Sequence, residues 1–105
     1  MRGDFFVVTE KSLDIEFDPA KDAANIAKHG LSLAEFEGFD SVAAVRVDDR
    51  YDYGETRFRA FGRINGLGHS IAYAETATGM RLISFRRAHE KEMRRYEQAA
   101  APRGL

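Results

Sequence analysis

The stretch Arg57-Phe58-Arg59-Ala60-Phe61-Gly62-Arg63-Ile64-Asn65-Gly66-Leu67-Gly68-His69-Ser70-Ile71-Ala72-Tyr73-Ala74-Glu75 reads as two extended runs around a two-residue turn. Asn-Gly accepts positive φ at both central positions of a type I′ turn, whose twist matches that of a tight β-hairpin. Strands over 57–64 and Leu67–Glu75 follow. In the first, Phe58, Ala60 and Ile64 alternate with Arg57, Arg59 and Arg63, and a strand sends successive side chains to opposite faces. One face therefore belongs to a core. The other carries three guanidiniums with no acid between them, the side chain best suited to hold phosphate bidentately. Phe61 falls on the basic face, either as an isolated exposed aromatic or as a platform on which a base can stack.

On the N-terminal side, Leu13, Ile15 and Phe17 alternate with Asp14, Glu16 and Asp18, the period of a half-buried strand. Asp18 caps a helix over Pro19–His29, with proline at a position where its missing donor costs nothing and Gly30 as the left-handed stop. Ser32 and Glu35 make a capping box for a second, short helix ending near Gly38, with Leu33, Phe36 and Phe39 as core residues. A strand over 42–47 leads into the acidic, aromatic loop 48–54. Beyond the hairpin, a turn at 76–79 precedes a strand over 80–86 and a closing helix over 88–100, with His89, Met93, Tyr96 and Ala100 along its packing face. Consecutive strands joined by short turns predict an antiparallel meander. Two N-terminal helices and one C-terminal helix pack on it, so the class is α+β.

A chain of 105 residues has room for one hydrophobic core. The expected organisation is an N-terminal extension at 1–12, with a short strand pattern at 5–9, a single domain over 13–100 and a tail at 101–105. The absence of cysteine rules out disulfides and thiolate metal sites and makes the cytoplasm the default compartment. Apolar runs of a few residues fall far short of the roughly 20 that span a bilayer. His29, His69 and His89 are isolated in sequence and the acids of 48–55 are loosely grouped, so neither a metal nor any other cofactor is expected. The formal net charge of -1 conceals a division: residues 1–56 carry 6 Lys and Arg against 13 Asp and Glu, residues 57–105 carry 10 against 4. The C-terminal half can meet phosphate while the acidic half avoids it.

Further cations come from Arg81, Arg86 and Arg87. Adjacent strand residues point to opposite faces, so only one of Arg86 and Arg87 joins a given site unless the strand ends between them. Lys28 and His29 close the first helix, where cations complement the negative end of its dipole, and histidine exchanges protons near neutral pH. Glu55 and Arg57 share a face if the strand has begun by Glu55; as a simple surface ion pair they are worth about 0–1 kcal/mol.

Several short motifs occur in a fixed order: Phe17-Asp18-Pro19-Ala20-Lys21, Asn25 through Lys28-His29-Gly30, Asp48-Asp49-Arg50, Tyr53-Gly54-Glu55-Thr56-Arg57, Phe61-Gly62-Arg63, and Ile83-Ser84-Phe85-Arg86-Arg87-Ala88 with Glu92 and Tyr96-Glu97. Together, over about 13–98, they resemble the BrnT toxin family. The resemblance implies a RelE-like fold and a ribonuclease that arrests growth by cutting RNA. It also implies neutralisation by a BrnA-like antitoxin with a ribbon-helix-helix part, through which alone operator DNA is bound. For the site it implies a basic cleft of Lys28, His29, Glu55, Arg57, Arg63, Arg86 and Arg87, with Lys28, His29, Glu55, Arg57 and Arg86 as catalytic candidates; Arg63 and Arg87, joined by Arg59 and Arg81 from the strand charge pattern, are the expected holders of RNA phosphate. Metal-independent cleavage requires a base for the ribose 2′-OH, cations for the phosphorane and an acid for the leaving oxygen, and this set contains candidates for each. The alternative is a non-catalytic module that pairs with a DNA-binding antitoxin and tunes operon repression.

Overall fold

The computed structural model describes residues 14–100, so the expectations for the 1–12 extension, Leu13 and the 101–105 tail lie outside the described residues. Strands β1 (Asp14–Phe17), β2 (Ser41–Val47), β3 (Phe58–Ile64), β4 (Leu67–Glu75) and β5 (Gly79–Arg87) form one sheet in the order β1-β5-β4-β3-β2. Helices α1 (Pro19–His29) and α2 (Glu90–Ala100) flank it, and the class is α+β. The hairpin forms as expected: Ile64 pairs with Leu67 across Asn65 (φ 52°) and Gly66 (φ 79°), both left-handed.

The sheet is mixed rather than an antiparallel meander throughout. Strands β2 to β5 are antiparallel neighbours, but β1 runs parallel to β5, pairing Asp14 to Phe17 with Gly79 to Leu82. Alternating hydrophobicity reveals a half-buried strand and not its partner. The long excursion through α1 and the meander supplies the crossover that a parallel pair needs.

Helix α1 begins where Asp18 accepts a hydrogen bond from Ala20 N–H at 3.0 Å and ends at Gly30 (φ 75°), whose N–H donates to Ile26 C=O at 2.8 Å. The expected second helix is a single 3-10 turn, Leu33–Glu35. Its capping box forms, with Ser32 N–H on Glu35 Oε2 at 3.0 Å and Ala34 N–H on Ser32 Oγ at 3.1 Å, but Phe36 is already extended (φ -81°, ψ 120°). The departure drops Leu33, Phe36 and Phe39 into the core with Phe58, Tyr73 and Leu82.

On the opposite face, α2 covers β2 and the adjoining part of β3. Phe61 is fully buried there with Ala88 and Met93 and stacks on Tyr96, ring centres 4.2 Å apart. It is neither an exposed aromatic nor a platform for a base, because α2 occupies that part of the basic face. Conversely His89, expected on the packing face, is exposed just before α2 begins at Glu90. Met93 and Tyr96 keep their places against the sheet.

Candidate functional site

Part of the α2 face of the sheet is left uncovered by the described residues, and the register assigns it residue by residue. Residues paired across antiparallel strands share a face. Arg59 pairs with Arg46 on β2 and Ala72 on β4, Ala72 with Ser84, Ser70 with Arg86, and Ala74 with Arg81. The middle of this face is paved with small residues, Ala72, Ser70 and Ser84, with arginines around them.

Arg81 belongs to this face only because β5 contains an irregularity. The pairing passes from Ala72↔Ser84 to Tyr73↔Leu82, leaving Ile83 as an extra residue. Such a bulge reverses the parity of the strand. Phe85 therefore shares the core face with Leu82 and Met80, three apolar side chains whose sequence parity differs, and Arg86 shares the open face with Arg81, five residues away.

At one end of this face, Glu55 accepts from Arg81 Nη2 at 2.6 and 2.5 Å and from Arg57 Nε at 3.1 Å. The two guanidiniums, Arg81 foremost, hold its carboxyl below the usual glutamate range. Glu55 and Arg57 thus meet although β3 begins only at Phe58. The loop is ordered from within by buried Asp48, which accepts from Arg50 Nε at 2.7 Å and Nη2 at 2.8 Å and from Tyr53 Oη at 3.3 Å. The hydrogen bond from Arg50 is the main reason that the Asp48 carboxyl falls to about 2. Asp48 N–H also donates to Arg57 C=O at 2.7 Å, and Arg57 lies over the Tyr53 ring at 4.2 Å.

At the other end, the buried Asn25 side chain fastens α1 to β5 beyond the reach of β1. It accepts from Phe85 N–H at 3.0 Å and donates to Phe85 C=O and to Leu31 C=O, both at 2.8 Å. The last turn of α1, with Lys28 and His29, is thereby brought beside the end of β5. The pKa of His29 is lowered first by desolvation and then by the charges of Lys28 and Arg86. Arg86 is held loosely, its two terminal nitrogens 3.4 and 3.3 Å from Glu92 and Nη1 3.0 Å from Arg87 C=O.

Two expected phosphate holders are placed elsewhere. Arg63 is saturated by Glu97 (Nε at 2.7 Å), Glu90 (Nη2 at 2.9 Å) and Gly66 C=O (2.8 Å), a network that pins α2 to the hairpin. Arg87 pairs with His69, opposite to the face of Arg86, and its Nε donates to Gly68 C=O at 3.2 Å. Arg46 was not foreseen. It is the one charged residue in the apolar run Val42–Val47, and only the register sets it beside Arg59. Among the described residues no group of three or more His, Asp and Glu is arranged to hold a metal ion, and no helix is long and apolar enough to cross a membrane.

The family model for the ribonuclease toxin BrnT of type II toxin-antitoxin systems matches residues 17–92. The chain belongs to the BrnT family. Comparison with curated proteins and with solved structures returned no match. The BrnT match runs from Phe17 at the end of β1 to Glu92, and so takes in both ends of the open face. Membership makes this a ribonuclease-type toxin with an antitoxin as its partner.

Proposed function

We propose that this protein cuts RNA without a metal, by attack of a ribose 2′-OH on the neighbouring phosphorus, and that a BrnA-like ribbon-helix-helix antitoxin silences it and carries the pair to operator DNA. The observation that carries this reading is the grouping of Lys28, His29 and Arg86 where Asn25 ties α1 to β5. A histidine whose pKa is lowered is neutral near pH 7 and ready to accept the 2′-OH proton. A guanidinium beside it meets the charge that develops on the phosphorane oxygens. Lys28 adds positive charge at the same place and gives the departing 5′-oxygen the proton it needs to leave as a hydroxyl. Arg57 and Arg81 at the far end of the face hold the continuing RNA strand. Glu55 is best read as a positioning residue: held ionised by two arginines, it is a poor proton donor and a weak base, and it fixes both guanidiniums.

The test is single-turnover cleavage of RNA in EDTA, followed from about pH 5 to 8. Protonated His29 cannot act as base, so the rate rises with pH through a value below the ordinary histidine pKa of about 6.5 and then levels off. His29→Gln removes that acid limb. A rate that vanishes in EDTA and returns with a divalent cation contradicts the mechanism. Antitoxin binding without cleavage under either condition makes the chain a binding module instead.

A further inference from the structure

Among the described residues, every arginine on the α2 side of the sheet, covered or open, has a carboxylate partner except two, which are neighbours. Arg57 and Arg81 share Glu55, Arg86 faces Glu92 and Arg63 is saturated. Arg46 and Arg59 have no ion pair or hydrogen bond to a carboxylate of the described residues, yet they lie directly opposite one another in the β2–β3 register. Like charges in that position repel and destabilise the sheet. Each is instead supported by one aromatic stack: Arg46 Cζ lies 5.2 Å from the Tyr96 ring centre, Arg59 Cζ lies 5.6 Å from that of Phe61, and those two rings stack on each other. The rings hold the guanidiniums without neutralising them. The Nε of Arg59 is buried and has no hydrogen-bond partner among the described residues, an uncompensated donor of a kind that folded proteins rarely leave.

We propose that Arg46 and Arg59 form a second oxyanion subsite that takes a backbone phosphodiester of the RNA flanking the bond that is cut. It rests on the ribonuclease reading above and deepens it. An incoming phosphate relieves the repulsion and supplies acceptors to a pair already held in place. Arg59 stands two strand spacings from β5 and two residues along from the Arg86 row, so the backbones are about 12 Å apart. The two positions therefore serve different phosphates. With Arg57 and Arg81 they give the strand three points of contact around the small-residue floor.

The experiment compares Arg46→Gln, Arg59→Gln and the double variant with wild type and with Arg95→Gln, an exposed position on α2. Binding is measured by fluorescence anisotropy across a salt series, using a single-stranded RNA with a 2′-deoxy nucleotide at the cleaved position. Each substitution should weaken binding about 5- to 20-fold and flatten the slope of log K against log salt by about 0.7, the single-strand value per phosphate contact. The rate at saturating RNA should stay within about twofold of wild type, because contacts made equally in bound RNA and transition state do not change it. Melting temperatures should hold or rise as the repulsion is relieved. Exposed Arg46 keeps the test open if Arg59→Gln folds poorly. A double variant with wild-type affinity and salt slope, while wild type still cleaves, overturns this subsite and leaves the ribonuclease reading standing. Unchanged RNA binding with lost antitoxin affinity also overturns it, by making the pair a contact for acidic antitoxin side chains. Wild-type protein that neither binds nor cuts RNA sinks both.

Discussion

Replacing Arg86 with alanine is expected to slow single-turnover cleavage at saturating RNA by about 10²- to 10³-fold, the usual loss when one preorganised donor to a developing oxyanion is removed. RNA affinity should fall much less, because the interaction strengthens as charge builds on the phosphorane. The local geometry supports this. The contacts of Arg86 with Glu92, at 3.3–3.4 Å, are long for charge-assisted hydrogen bonds, so the guanidinium can exchange a carboxylate for a phosphate. Arg86→Lys keeps the charge and loses the planar fork, and its rate should lie between those of wild type and alanine. Equal losses in affinity and in rate at saturation would make Arg86 a docking residue.

The second large effect is on stability. Asn25→Ala should cost about 3 kcal/mol, because a buried side chain that makes three hydrogen bonds disappears and leaves Phe85 N–H, Phe85 C=O and Leu31 C=O without their partner. For a domain of this size, that is a drop in melting temperature on the order of 10–20 °C. Asn25→Asp separates hydrogen bonding from packing. It keeps the acceptor for Phe85 N–H but sets carboxylate oxygen against two carbonyls, so it should destabilise at least as much. Urea denaturation of the three proteins measures both. Cleavage by any folded fraction should also slow, since Asn25 brings His29 beside Arg86.

Local chemistry was plainly legible in the sequence. The Asn65-Gly66 hairpin, the Asp18 cap, the Gly30 stop and the Ser32–Glu35 box depend on neighbours in the chain, and each forms. What the sequence concealed lies at longer range. The parallel pairing of β1 depends on which sheet edge is open after the meander closes. The extra residue at Ile83 alters which of Arg81, Arg86 and Arg87 share a face, and nothing in Met80-Arg81-Leu82-Ile83-Ser84-Phe85 marks it except that Leu82 and Phe85 are both core residues. Phe61 looked exposed because strand alternation cannot foresee that a helix 30 residues on will cover half of the basic face. The same omission hid the division of labour among the arginines. Arg63 belongs to the part covered by α2 and serves the fold, whereas Arg59, on the same strand, lies beyond it.

The central claim is that the ribose 2′-OH is the nucleophile, activated and received by side chains of this chain alone. It is tested most directly by the chemistry of the cut ends. Purified protein, freed of antitoxin, is incubated in EDTA with an RNA of defined sequence, and the fragments are analysed by mass. Attack by the 2′-OH leaves a 2′,3′-cyclic phosphate or its hydrolysis product on the upstream fragment and a 5′-hydroxyl on the downstream one, and a single 2′-deoxy substitution at the cut nucleotide should abolish cleavage. A 5′-phosphate with a free 3′-hydroxyl, or undiminished cutting at the 2′-deoxy position, would contradict the claim, because both require water rather than the neighbouring 2′-OH to attack phosphorus.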